Sequence, residues 1–208
     1  MYKLYYKYGS MNSSKTANLL MTAHNLRSKN KSVLIIKPCI DDRVGIEYIK
    51  SRAINELIKA DLIIRPEMYL IPLKKKVDLV LVDEAQFLSE TNVNGLRNIT
   101  KHVPVICYGL RTDYTSKLFE GSKRLFELAD QIEEIKSFCN RCDKKSLINS
   151  KFILENNEKI TIYDGNKKID IGSEDKYEPL CWYCWNKNKK YICDKNSNID
   201  KEIMLCQI

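Results

Sequence analysis

The sequence predicts an α/β fold with a mostly parallel sheet, and three observations carry that prediction. Short, continuous β-branched runs, such as Val33-Leu34-Ile35-Ile36 and Leu79-Val80-Leu81-Val82, alternate with stretches of helical apolar spacing. A loop, Gly9-Ser10-Met11-Asn12-Ser13-Ser14-Lys15-Thr16, joins a strand-like run to a helix-like one near the start. After residue 138 the alternation stops, and a segment bounded by two Cys-x-x-Cys pairs begins.

The elements follow in order. Residues 1–8 are Tyr-rich and read as a strand. Residues 17–28 place Leu19, Leu20, Ala23 and Leu26 at helical spacing. Residues 31–37 have the continuous apolar look of a strand buried on both faces, completing a βαβ unit. Residues 38–50 read as irregular, 51–60 as helix, and 61–65 and 69–73 as short strands. Residues 78–83 are the clearest buried strand. A weaker helix is expected over 89–101 and a strand over 103–108, ended by Gly109. An amphipathic helix is expected over 117–130 with Leu118, Phe119, Leu125, Leu128 and Ala129 on one side, and a strand over 132–138. Beyond these, residues 150–164 alternate well enough for a hairpin, with Asp164-Gly165 as its turn.

The bulk numbers narrow the class. With 208 residues, 44% hydrophobic and 30% charged, the chain suits one globular domain or one domain with a small appendage. A net charge of +8 is compatible with polyanion partners, but the lysines scatter instead of forming a stripe. The first residues hold no apolar signal-peptide core, and no run approaches the ~18 apolar residues of a membrane span. A cytoplasmic protein is therefore expected, in which paired cysteines are metal ligands more often than disulfides.

Four constellations carry chemistry. Residues 9–16 nearly match the phosphate-binding pattern GxxxxGK[ST]. There backbone N–H groups wrap phosphates, a lysine reaches the outer ones and a hydroxyl holds Mg²⁺. Ser14 stands where the pattern has Gly, and a helix N-cap would also explain Ser13, Ser14 and Thr16. Asp83-Glu84-Ala85-Gln86-Phe87 closes the strand 78–83, where an aspartate can support Mg²⁺ and a carboxylate beside it can take a proton from an attacking hydroxyl. Cys139, Cys142, Cys181 and Cys184 offer four thiolates to a tetrahedral Zn²⁺, a closed and hence structural site. The 38 residues between the pairs exceed the usual ribbon spacing and imply a long loop or hairpin carried on the metal. Asp41 and Arg43 follow the strand 31–37, where Arg43 could hold phosphate or simply pair with the aspartate at the surface. His24 and His102 read as ordinary residues of helix patterns.

Taken together, the chain resembles the type II (cellular-type) thymidine kinase family from about Lys3 to Trp185. The matching stretches are the loop at 9–16, Lys37-Pro-x-x-Asp41-x-Arg43, Asp83-Glu-Ala-Gln-Phe, Gly109-Leu-x-Thr-Asp-Tyr, Leu118-Phe-Glu-Gly-Ser, Gly172-Ser-Glu-Asp-Lys-Tyr177 and both Cys pairs. Each is weak alone, and their order and spacing together are specific. The resemblance implies a P-loop, RecA-like core over 1–138, a Cys₄ zinc subdomain carrying a lasso over 139–185, and a partly ordered tail over 186–208. It implies transfer of the ATP γ-phosphate to the 5′-hydroxyl of thymidine or deoxyuridine, serving salvage and DNA precursor synthesis. Carried over by position, Glu84 is the general base, Thr16 and Asp83 hold Mg²⁺, and Lys15 and Arg43 neutralise phosphate. ATP binding falls to Gly9, Ser10, Met11, Asn12, Ser13, Ser14, Lys15, Thr16, Asp41, Asp83, Glu84, Ala85 and Gln86. Met11, Phe87, Leu110, Tyr114 and Phe119 enclose the nucleoside with Gly172 and Tyr177 of the lasso. The resemblance further implies a homotetramer inhibited by thymidine triphosphate, with no nucleic-acid or membrane partner. Ser14, Arg111 and Tyr114 depart from the residues usual in the family.

A rival reading is a zinc-containing nucleic-acid-binding P-loop protein. Basic charge, the four-cysteine knuckle and the aromatics Trp182, Tyr183 and Trp185 suit it, but it leaves Asp83 and Glu84 without a task. A fragment of a phosphate-loop ATPase or helicase shares the acidic box, but 208 residues leave little room for a second motor domain.

Overall fold

The computed structural model describes residues 1–40, 45–51, 54, 57–71, 76–156, 158–163 and 176–187. Among these, a six-stranded, wholly parallel sheet organises the first part of the chain. Its strands are β1 (Leu4–Tyr8), β2 (Val33–Pro38), β5 (Leu62–Ile64), β6 (Leu79–Val82), β7 (Val105–Gly109) and β8 (Gln131–Glu134). The order across the sheet is β5-β2-β6-β7-β1-β8. A short antiparallel ribbon, β3 (Tyr48–Lys50) and β4 (Leu57–Lys59), lies beside it. The helices are α1 (Lys15–Arg27), α2 (Glu90–Ile99), α3 (Glu120–Leu128) and the short α4 (Trp182–Asn186). A second sheet, ordered β10-β9-β11, is built from β9 (Ile148–Glu155), β10 (Glu158–Ile162) and β11 (Tyr177–Leu180).

Period-two alternation explains why the continuous apolar runs become central strands. Ile36, Val80, Val82 and Val105 point to one face, where Val93, Leu96 and Ile99 of α2 and Leu125 of α3 cover them. Val33, Ile35, Leu79 and Leu81 point to the other, covered by Leu19, Leu20 and Ala23 of α1 and by Ile49 of the ribbon. Both faces are dry, and each fully buried side chain of this size contributes about 1.5–3 kcal/mol by leaving water. Helix α2 begins with a capping box in which Ser89 Oγ accepts from the N–H of Asn92 and the Asn92 amide oxygen accepts from the N–H of Ser89. No helix among the described residues is long and apolar enough to cross a membrane.

Several element boundaries differ from the sequence expectation. Residues 57–59, expected in a helix, form β4, because cross-strand bonds to β3, extended by Ala60 N–H donating to Glu47 O at 2.8 Å, outweigh helical spacing. Residues 69–71, expected in a strand, are irregular. Leu70 instead packs on α2 at Gly95, where an added Cβ would lie 2.7 Å from the Leu70 nitrogen. Helix α3 starts only at Glu120, and Leu118 is exposed. The hairpin turns between Glu155 and Glu158, with Asn156 in a left-handed conformation at φ 50°. Asp164 and Gly165, expected to form that turn, lie outside the described residues.

Close backbone packing under the acidic turn gives one sharp stability prediction. A Cβ on Gly121 would sit 2.6 Å from the Ala85 carbonyl oxygen and 2.7 Å from that of Leu88. Because backbone cannot yield as a side chain does, Gly121→Ala is expected to cost about 1–3 kcal/mol. Urea denaturation checks this, and an unchanged midpoint would show that α3 moves away freely.

Candidate functional site

The site forms where the parallel strands end, the usual place for ligands of open α/β sheets. Strand β1 delivers the loop at 9–16, and β6 delivers Asp83, with β7 between them in the sheet. Gly9 N–H donates to the Gly109 carbonyl at 3.2 Å, joining the ends of β1 and β7. A side chain on Gly9 would run into Ser13 and lie 2.5 Å from the Ile135 carbonyl oxygen, so only glycine fits the entry to the loop.

The loop then winds through two left-handed residues, Asn12 at φ 60° and Ser14 at φ 61°, ψ 26°. Asparagine tolerates that region; serine does so at a cost of about 1–2 kcal/mol relative to the right-handed form. Ser14 occupies the N-cap position of α1, yet its side chain caps nothing. Its place in the sequence therefore reflects a glycine-like backbone demand. Ser14→Gly is expected to raise stability by about 0.5–1 kcal/mol, the gain from removing strain exceeding the unfolded-state entropy of glycine. Chemical denaturation measures the change, and a lower midpoint would contradict a strained Ser14.

Helix α1 has no acidic residue in its first turn, so its positive end is left for an anionic ligand. The Lys15 ammonium folds over the loop, donating to the Ser10 carbonyl at 2.7 Å and to Ser13 Oγ at 3.3 Å. Thr16 Oγ1 lies 3.4 Å from both carboxylate oxygens of the buried Asp83. A hydroxyl beside a carboxylate is a hard-oxygen pair of the kind Mg²⁺ takes.

Glu84 follows Asp83 in a left-handed conformation, φ 48° and ψ 40°, at the head of a 3₁₀ turn, Ala85–Phe87. That geometry is uncommon for a non-glycine residue and turns Glu84 away from the line of β6. The buried Gln86 holds the arrangement. Its amide nitrogen donates to Glu84 Oε2, and its amide oxygen accepts from Leu110 N–H at 2.9 Å. The turn fits against Gly109, where a Cβ would lie 2.9 Å from both the Gln86 nitrogen and its amide oxygen. Leu110 is fixed again through its carbonyl, which accepts from Tyr6 Oη at 2.8 Å and Ser122 Oγ at 2.6 Å.

Two aromatic pairs form, one of them at this turn. Phe87 and Phe119 meet edge-to-face at 5.8 Å, and the buried Tyr114 lies 6.4 Å from the ring of Tyr177 on β11. The structure thus brings together the loop, Asp83, Glu84 and Gln86, and it pairs Phe87 with Phe119 and Tyr114 with Tyr177. Asp41, Arg43 and Gly172 lie outside the described residues.

The four cysteines converge, with every pair of their sulfur atoms within 4.8 Å. Cys142 Sγ is 3.6 Å from the Sγ atoms of Cys181 and Cys184. A tetrahedron with metal–sulfur bonds of about 2.3 Å has edges of about 3.8 Å, so the group could hold a metal ion. In each knuckle a backbone N–H turns onto the leading sulfur, Arg141 to Cys139 and Cys184 to Cys181, both at 3.4 Å. Burial opposes the Cys139 thiolate, but the N–H groups of Cys181 and Arg141 and the neighbouring thiols bring it down to about 7. Burial and the other three cysteines push Cys184 up to about 12, since thiolates this close repel one another until a cation intervenes. Trp185, Leu180 and Ile148 pack around the cluster. Arg141 forms an ion pair with the buried Glu178 of β11, which also lies 3.5 Å from Lys159 of β10.

Two residues absent from the sequence reading tie the cysteine segment to the loop. Met11 N–H donates to Asn149 Oδ1 at 2.7 Å, and Ser10 Oγ meets Ser146 Oγ at 2.6 Å. Asn149 and Ser146 are both buried. No local pattern marks either residue, since Asn149 sits in a polar run, Asn149-Ser150-Lys151, and Ser146 precedes the strand.

Comparison with known proteins points the same way. The family model described as thymidine kinase matches residues 2–185. A thymidine kinase of Streptococcus gordonii is 38% identical over 187 residues, covering 87% of this chain and 94% of that protein. A thymidine kinase of Streptococcus pyogenes serotype M6 is 40% identical over 185 residues, covering 87% and 95%. One of Haemophilus influenzae is 39% identical over 187 residues, covering 87% and 94%.

Proposed function

Because the chain belongs to the thymidine kinase family, we propose that it transfers the γ-phosphoryl group of ATP to the 5′-hydroxyl of thymidine or deoxyuridine. The observation that carries this reading is the meeting of Thr16 with Asp83 at 3.4 Å, with Glu84 as the next residue. A phosphate-holding loop, a hard-oxygen pair and a second carboxylate then share one place.

In this reading the N–H groups of the loop and the positive end of α1 receive the ATP phosphates. Lys15 exchanges its contacts with Ser10 and Ser13 for phosphate oxygens, and Arg43 and Asp41 are assigned to the same phosphates from the family resemblance of their sequence, Lys37-Pro-x-x-Asp41-x-Arg43. Mg²⁺, held through Thr16 and Asp83, supplies charge neutralisation on those phosphates. Glu84 accepts the proton of the 5′-hydroxyl as the oxygen attacks phosphorus, and Gln86 holds Glu84 in position. The left-handed turn at Glu84 supports that assignment, since uncommon backbone gathers where a group must be aimed. Met11, Phe87, Leu110, Tyr114 and Phe119 enclose the base with Tyr177 of the cysteine segment, and Gly172 is assigned to the nucleoside by the family resemblance of its sequence. Binding energy thereby goes into orientation, which is most of what phosphoryl transfer needs from a protein.

The metal of Cys139, Cys142, Cys181 and Cys184 is Zn²⁺ with a structural role, because four sulfur ligands suit it and leave no open position. It anchors a subdomain over 139–185 that bears the lasso, beside a core over 1–138. We further propose a cytoplasmic homotetramer inhibited by thymidine triphosphate, as the family resemblance implies. Light scattering checks the mass, and addition of thymidine triphosphate checks inhibition.

The reaction itself is tested by incubating the protein with ATP, Mg²⁺ and thymidine. Equal amounts of thymidine monophosphate and ADP are expected, with no turnover when the 5′-hydroxyl is removed from the nucleoside. Release of ADP and free phosphate without thymidine monophosphate would support a simple ATPase instead.

A further inference from the structure

We propose that Lys151 is a positioning residue of the nucleoside pocket, holding the ring of Tyr114 in the first half of the chain against the ring of Tyr177 in the cysteine segment. The proposal rests on the reading that Tyr114 and Tyr177 enclose the nucleoside.

Lys151 lies on β9, the middle strand of the three-stranded sheet, directly opposite Tyr177 of β11. Cross-strand partners share a face, so its side chain and the tyrosine ring rise together. The Lys151 ammonium is 5.4 Å from the ring centre of Tyr114 and 6.0 Å from that of Tyr177. The two rings are 6.4 Å apart and inclined at 59°. Each ring presents negative charge density on its face, so one cation serves both and draws them together. A neutral side chain of equal length would fill the space without that attraction.

The neighbouring polar residue of the same strand makes a parallel contact. Residues two apart on a strand share a face, and Asn149 is two before Lys151. Asn149 Oδ1 accepts from Met11 N–H at 2.7 Å. One face of β9 therefore reaches two separate members of the enclosure, Met11 through Asn149 and Tyr114 through Lys151. The opposite face carries the buried Ile148 and Phe152. In this arrangement the sheet that packs against the cysteine cluster through Ile148 and Leu180 also sets the walls of the pocket. A pocket whose walls are set before the ligand arrives loses less conformational freedom on binding.

The test compares Lys151→Met with Lys151→Arg. Methionine keeps the length and apolar stem, and arginine keeps the cation. Lys151→Met is expected to raise the thymidine KM about fivefold, with kcat and the ATP KM within about twofold of the parent. Lys151→Arg is expected to restore the thymidine KM to within about twofold. In a Tyr114→Leu background, which by itself raises the thymidine KM, Lys151→Met is expected to add less than about twofold. An unchanged KM in Lys151→Met, a Lys151→Arg variant as poor as Lys151→Met, or additive effects with Tyr114→Leu would each overturn the role of Lys151. If Tyr114→Leu alone leaves the thymidine KM unchanged, the pocket reading fails first and the role of Lys151 falls with it.

Discussion

Replacing Glu84 by Gln is expected to lower kcat by about 10²- to 10⁴-fold, with the thymidine KM within a few-fold of the parent. The substitution keeps shape and removes one property, the capacity to take a proton. The Gln86 amide nitrogen now donates to Glu84 Oε2, and it can donate equally to an amide oxygen at that position. The left-handed backbone at residue 84 and the contact of Gln86 with Leu110 N–H are left as they are. Binding surfaces therefore persist while the proposed proton acceptor is lost. A kcat within tenfold of the parent would mean that another group or solvent takes the proton.

Removing the proposed Zn²⁺ is expected to weaken thymidine binding at least tenfold and ATP binding only a few-fold. Metal sites of this kind supply the folding energy of the small units they hold, about 10–16 kcal/mol for Zn²⁺ in isolated fingers. Without it, the packing of Trp185, Leu180 and Ile148 around the sulfur atoms loses its centre. Tyr177 on β11 and Lys151 on β9 lose their fixed relation to Tyr114. The phosphate loop is affected less, because it loses only its contacts to Asn149 and Ser146 and keeps β1 and α1. Titration with a chelator, followed by binding of each substrate and recovery with added Zn²⁺, measures this. Recovery should be weaker at pH 6 than at pH 8, because the thiols must shed protons to bind the ion. Equal loss of both substrates, or of neither, would contradict a metal-supported nucleoside lid.

The parallel sheet was legible because its strands bury both faces and therefore spell out uninterrupted apolar runs, as in 33–36 and 79–82. The loop at 9–16 and the acidic pair stood out as motifs because the chemistry proposed for them demands fixed residue types at short spacing, and the structure brings Thr16 of the loop to Asp83. The ribbon at 48–59 was not, since Leu57 and Ile58 satisfy either period and only pairing with β3 decides. The turn near Asn156 was also missed: Asp164-Gly165 has the stronger turn chemistry, while Asn156 relies on a tolerance for left-handed backbone that is weaker than glycine's. Ser14 could be flagged but not judged, because its consequence depends on a dihedral angle. Asn149, Ser146 and Lys151 were invisible for a different reason. Each acts across more than 35 residues of chain on a loop or ring that no local pattern links to it.

A crystal structure of the protein with thymidine bears most directly on the account. The base should lie between Met11, Leu110, Tyr114 and Phe119, with its 5′-oxygen within hydrogen-bond distance of Glu84 and its open side toward Lys15 and Thr16. Thymidine bound elsewhere, or with its 5′-oxygen turned away from Glu84, would contradict it.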